Sequence, residues 1–168
     1  VMAITLQDFD KDGKKDIVAF DKICGSGGKL RAFLNVGNAG EAKYLHAFNY
    51  QSQLPEVTDW ALFFDYNNDG KADIFTYTTG GIKVFRNTSV GQNLSFALAK
   101  PLLMTDYNPF GTPSVSNLYS NSVGMPGISD IDGDGDLDIL SFSVFGVRIE
   151  YHKNMSQELY GTSDSLVY

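Results

Sequence analysis

The chain has 168 residues, 43% hydrophobic and 20% charged, enough for a domain with its own core and too apolar for disorder. Twenty acidic against thirteen basic residues give a formal charge of −7, which excludes a phosphate-backbone binder as the default reading. No run approaches the roughly eighteen uncharged apolar residues of a membrane-spanning helix, and a single cysteine, Cys24, leaves neither an internal disulfide nor a cysteine zinc site.

In chain order, a strand-like run from Met2 to Leu6 opens the sequence, which therefore reads as excised from a longer protein. An acidic stretch follows, Asp8-Phe-Asp10-Lys-Asp12-Gly13-Lys-Lys-Asp16, and then Ile17 to Phe20, rich in β-branched and aromatic residues. Leu30 to Asn35 reads as a further strand, and Tyr44 to Tyr50 as a fourth. The same order returns: Trp60 to Phe64, the acidic stretch Asp65 to Asp73, Ile74 to Tyr77, Ile82 to Asn87 and Leu94 to Leu98. Met104 to Ser122, broken by Pro109, Gly111 and Pro113, reads as a long loop in which Tyr107, Phe110 and Tyr119 are available to stack on a sugar or a peptide. A third round comprises Gly127 to Ser129, the acidic stretch Asp130 to Asp138, Ile139 to Phe142, Val147 to Asn154, and a strand from Leu159 onward.

Of the sixteen Asp residues, twelve lie in the three acidic stretches, and each stretch reads D-x-[DN]-x-D-G-x-x-D. Oxygens at positions 1, 3 and 5 of a tight loop converge when the chain turns sharply after the fifth, and glycine at position 6 permits that turn. Position 7 contributes only its backbone carbonyl, so a lysine fits there, and Asp at position 9 closes the shell. The predicted metal residues are Asp8, Asp10, Asp12, Lys14 and Asp16 in the first loop. The second has Asp65, Asn67, Asp69, Lys71 and Asp73, and the third Asp130, Asp132, Asp134, Asp136 and Asp138. Hard carboxylate and amide oxygens select Ca²⁺, so three calcium sites are expected. An EF-hand requires Glu at position 12 and flanking helices; Ala19, Thr76 and Ser141 stand there, between strand-like runs. Without a cation, carboxylates about 4 Å apart repel by ~1 kcal/mol per pair in water and up to ~4 at an effective dielectric near 20.

Four strands per unit is the composition of a propeller blade, and the acidic stretches begin 57 and 65 residues apart. The expected architecture is all-β, a β-propeller with three four-stranded blades and, since three blades make only an arc, part of a larger propeller. Residues 1–58 are expected as the first blade-like repeat, 59–123 as the second with the long loop 104–122, and 124–168 as a third, shorter one. Trp60 is expected between blades, and Cys24, His46 and His152 in packing or surface roles. Asn87-Thr-Ser89, Asn93-Leu-Ser95 and Asn154-Met-Ser156 fit the N-glycosylation pattern, a triplet that also arises often by chance.

With these loops, the strands that follow them and the Lys83-Val-Phe-Arg-Asn87 type of strand before Phe96, the sequence resembles the FG-GAP/VCBS repeat family of β-propellers. Such repeats occur in integrin α subunits and in many secreted bacterial proteins. The resemblance implies calcium in the loops along one rim, an extracellular or cell-surface setting of secreted bacterial type, and no enzymatic activity. It also implies a protein or glycan ligand, with the remaining blades of the propeller as intramolecular partners. The alternatives are the propeller platform of a secreted enzyme whose catalytic residues lie elsewhere, and a magnesium-dependent phosphotransfer enzyme of the haloacid-dehalogenase type. The latter needs one nucleophilic Asp on a parallel α/β core, which three equivalent loops without helical periodicity do not match.

Overall fold

A computed structural model describes residues 3–21, 29–107 and 114–168. Cys24, Pro109, Phe110, Gly111 and Pro113 lie outside the described residues. The chain folds as antiparallel sheets laid down in sequence order. The first contains β1 (Ala3–Gln7), β2 (Asp16–Asp21), β3 (Lys29–Asn35) and β4 (Tyr44–His46), paired in that order. The second repeats the arrangement with β5 (Ala61–Phe64), β6 (Asp73–Thr78), β7 (Gly81–Asn87) and β8 (Phe96–Lys100). A two-stranded hairpin, β9 (Met104–Tyr107) and β10 (Ser114–Asn117), precedes a third sheet of β11 (Gly127–Ser129), β12 (Asp138–Phe142) and β13 (Ile149–His152).

The acidic stretches connect the first two strands of each sheet, so register around them is the same three times. Gln7 pairs with Asp16, Phe64 with Asp73 and Ser129 with Asp138. Successive residues of β2, β6 and β12 alternate between faces, and the faces pack in head-to-tail order. Val18, Phe20 and Leu30 of the first sheet pack with Ala61 and Ile74 of the second. The opposite face of the second sheet, Phe75, Ile82 and Val84, packs with Ile128 and Ile139 of the third. Trp60 is buried in this second cluster, as expected of an inter-sheet residue, and its indole N–H donates to the Asn121 carbonyl at 3.1 Å.

Three expectations are corrected. Only three strands form the third sheet; the segment expected to be a strand from Leu159 lies in helix α2 (Ser156–Tyr160) and a single 3-10 turn at Ser163–Ser165. The Asp136 carboxylate accepts the Gln157 N–H at 3.0 Å, and Gly161, with φ of 66°, closes the helix in the left-handed region. In the first sheet the fourth strand is shorter than expected and runs into a helical turn, Phe48–Gln51, before Tyr50 is passed. The long polar segment is not wholly irregular, because its two ends pair as β9 and β10, with Ser114 opposite Tyr107. No helix among the described residues is long and apolar enough to cross a membrane.

Candidate metal sites

All three acidic loops are built by one set of hydrogen bonds. The first carboxylate accepts the N–H of the sixth residue: Asp8 from Gly13 at 3.1 Å, Asp65 from Gly70 at 2.7 Å and Asp130 from Gly135 at 3.1 Å. The fifth accepts the N–H of the seventh, from Lys14 to Asp12 at 2.8 Å, Lys71 to Asp69 at 3.0 Å and Asp136 to Asp134 at 3.0 Å. Gly13, Gly70 and Gly135 have φ of 85°, 80° and 96°, the conformation that the turn after position 5 demands. Position 4 is left-handed as well, at Lys11, Asn68 and Gly133, a requirement the sequence reading passed over.

The ninth residue also braces the loop. Asp16, Asp73 and Asp138 are essentially without exposed surface. Each carboxylate accepts the N–H of the loop's second residue with one oxygen: Phe9 at 2.8 Å, Tyr66 at 3.1 Å and Ile131 at 3.0 Å. The other oxygen accepts the N–H of an asparagine beyond the next strand pairing: Asn35 at 2.9 Å, Asn87 at 2.7 Å and Asn154 at 2.8 Å. The asparagine side chain then accepts the N–H two residues on, from Gly37, Ser89 or Ser156. The recurrence of Asn at the end of each such strand was the available signal for this brace. It also explains why Asn154 has no exposed surface and Asn87 only 8%, leaving Asn93 as the exposed asparagine of the three glycosylation-like triplets.

Carboxylate oxygens of Asp8, Asp10 and Asp16 lie within 4.8 Å of one another, as do those of Asp130, Asp132 and Asp138, and both groups have the geometry to hold a metal ion. In the second loop Asn67 takes the third position, and its amide oxygen belongs to the donor set that the acidic groups supply elsewhere. The first two loops each keep one buried ligand-position oxygen with no hydrogen-bond partner, Asp8 Oδ1 and Asn67 Oδ1, while in the third Asp134 Oδ2 accepts no hydrogen bond but faces the Lys153 ammonium at 3.5 Å. Buried acceptors are ordinarily satisfied, so an orphan at a ligand position in two loops, and a ligand oxygen met only by an ammonium in the third, fit a cation. Lys14 and Lys71 turn their side chains back onto Asp12 and Asp69, at 2.8 Å and 3.5 Å, while position 7 needs only the carbonyl.

Electrostatics follow from burial. Asp73 is pushed up to about 6 chiefly by desolvation, against the pull of its two backbone donors. Asp16 is raised for the same reason. Asp136 rises to about 6 through burial, with Asp134 and Asp138 adding repulsion. Its Oδ1 is also without a partner, so it carries a buried side chain at a position expected to contribute only a carbonyl. In the third loop Lys153 forms ion pairs with Asp132 and Glu158 and approaches Asp134 at 3.5 Å. Glu158, which the sequence pattern did not single out, joins Asp132 and Asp134 in a third acidic group. The hydrogen bonds that Lys153 donates to Asp132 and Glu158 raise the lysine well above its ordinary range.

Neighbouring loops touch along one edge of the stack. Asn68 of the second donates to the Gly135 carbonyl of the third at 3.1 Å, and Gln92 donates to the Asp10 carbonyl of the first at 3.4 Å. The histidines take packing roles. His46 sits between Phe33 and Phe48 with Nε2 2.6 Å from Gln51, and His152 is buried between Ser141 and Thr105.

These features define a tandem all-β repeat protein whose units each carry an acidic loop, the first and third with carboxylates close enough to hold a cation. Residues 65–141 match the FG-GAP-like repeat model, and that segment is similar to the FG-GAP-like repeats. Comparison with curated proteins and with solved structures gave no match.

Proposed function

We propose that the chain is a non-catalytic, calcium-binding β-propeller module that acts outside the cell by holding a protein or glycan ligand, with calcium clamping the first strand turn of each blade. The observation that carries this reading is the convergence of ligand-position oxygens, with carboxylates clustered in the first and third loops and an orphaned oxygen at Asp8 and Asn67 in the first and second. A Ca²⁺ ion there satisfies Asp8, Asn67 and Asp134 and offsets the carboxylate repulsion that each loop stores. The acceptors are carboxylate and amide oxygens throughout, the donor set of a hard cation. Extracellular modules of this kind bind calcium at ~10⁻⁴ to 10⁻³ M, which fills them outside the cell and leaves them largely empty in cytosol.

The propeller reading draws support from the ends of the stack. Leu140 and Tyr151 face the same way as Phe142 and Ile149, and the last three are about half exposed or more. Of the four counterparts on the second sheet, Phe75, Val84 and Ile82 have no exposed surface and Tyr77 is partly buried, because the third sheet packs over them. At the other end Ile4 and Leu6 are 65% and 52% exposed. Further blades packed in the same head-to-tail sense cover both faces.

The test is calcium titration by calorimetry together with melting in calcium and in EDTA. A hundredfold excess of calcium over Kd adds ~2.7 kcal/mol per site if the ion binds only the folded chain. Asp12→Ala, Asp69→Ala and Asp134→Ala are each expected to remove one of three binding events. An identical melting curve in calcium and EDTA refutes the reading.

A further inference from the structure

Away from the metal loops, the hairpin β9–β10 and the end of the third sheet enclose a groove. It consists of a hollow of about 370 Å³ and an adjoining one of about 330 Å³, which share Tyr107, Arg148 and Glu150 among their walls. Such volumes lie at the small-ligand end of binding sites. Tyr119 and Phe145 add aromatic surface to the larger hollow, and Phe145 stands 87% exposed at its lip. Arg148 donates to the Tyr107 hydroxyl at 3.0 Å and to Glu150 Oε1 at 3.3 Å, which pairs two charges of the groove and leaves Asp106 of the smaller hollow as a net negative charge.

A second observation points to a ligand. Ser143, 5% exposed, lines the larger hollow, and its hydroxyl has no hydrogen-bond partner. Its backbone is fixed by the turn, with Ser143 N–H donating to Arg148 O at 2.9 Å and Gly146 N–H donating to Ser143 O at 2.7 Å. A buried hydroxyl held without a partner costs free energy unless something else meets it.

We infer that this groove binds a neutral oligosaccharide of at least two rings, which deepens and rests on the binding-module reading above. Three aromatic side chains offer apolar faces to the C–H face of a pyranose ring. The Arg148–Glu150 pair places a donor beside an acceptor, the match for adjacent sugar hydroxyls, each of which donates and accepts. Because the pair is internally neutral and Asp106 adds a negative charge, the groove gives no net attraction to phosphate, sulfate or carboxylate. Two joined hollows accommodate two consecutive rings.

The test is saturation-transfer NMR on the whole chain in calcium buffer, using lactose, maltose, cellobiose and chitobiose, with a mixture of capped tetrapeptides as the comparison. At least one disaccharide is expected to show saturation at its ring C–H protons. Ser143→Ala is expected to bind it about five- to tenfold more weakly while melting, without sugar, at or above the parent's temperature, because the buried hydroxyl has no protein partner to lose. Phe145→Ala, at an exposed position, is expected to remove the ring-face saturation. Saturation of none of the four sugars, saturation of the peptides instead, or saturation indifferent to both substitutions overturns the inference. Failure of the sugars while the calcium-dependent melting shift persists overturns the groove assignment alone and leaves the metal module standing.

Discussion

Replacing Asp73 by Asn separates the two tasks of a loop carboxylate, because the exchange keeps its shape and removes its charge. Asp73 has no exposed surface, and its oxygens accept the Tyr66 and Asn87 N–H groups at 3.1 Å and 2.7 Å. Burial holds it up at about 6 even so. That rise of about two units, at ~1.36 kcal/mol each and reduced for water reaching the loop, makes its ionisation cost of order 2 kcal/mol at neutral pH. An amide escapes that cost but turns one acceptor into a donor facing an N–H, which costs about 1–3 kcal/mol. In EDTA the two effects cancel, and the variant melts within a few degrees of the parent. With calcium the ion already neutralises the carboxylate, so only the losses remain. Asp73→Asn then falls below the parent by about 2–4 kcal/mol, roughly 5–12 °C for a chain of this size. The pH dependence gives an internal check. A folded value raised above the unfolded one means that Asp73 favours folding at low pH and loses that contribution as pH rises through about 6. Lowering the pH of the metal-free protein from 7.5 to 5 therefore relieves the parent alone, and the variant drops behind it. Scanning calorimetry under the four conditions measures all of this. An equal penalty with and without calcium would refute the assignment of Asp73 to the ion's shell.

Lys153 sits among Asp132, Asp134 and Glu158 and competes there with a divalent cation. Lys153→Met is expected to raise the calcium affinity of the third site about three- to tenfold while lowering stability in EDTA, both readable by calorimetry; unchanged affinity argues that the ammonium lies clear of the ion. His152, buried between Ser141 and Thr105, is held below its ordinary value by desolvation. Its neutral form therefore supports folding above the unfolded value near 6.5, and the support is lost as pH falls below it. His152→Gln, which keeps a hydrogen-bonding side chain, is expected to flatten the decline in melting temperature between pH 7 and 5.5; parallel pH profiles for the two proteins would contradict this.

What the linear sequence determined is short-range. Ligand oxygens at positions 1, 3 and 5, the turning glycine at 6 and the strand after position 9 all fall within about a dozen residues, so spacing alone carries their geometry. The all-β character follows equally from β-branched and aromatic runs bounded by turn residues. Tertiary contacts decided the rest, because they join residues whose separation no local pattern records. The tie from Asp138 to Asn154 spans 16 residues and the Arg148–Tyr107 contact across the groove spans 41. The end of the third repeat illustrates the difference: Ser156 to Tyr160 has no strong period of its own, and the Asp136 carboxylate capping Gln157 makes it a helix where repeat symmetry predicted a strand. Likewise, the apolar residues Phe142 and Phe75 read alike as core in one dimension. Only the stacking order of the sheets leaves one about half exposed and the other without exposed surface, since burial belongs to what packs against a residue and not to the residue itself.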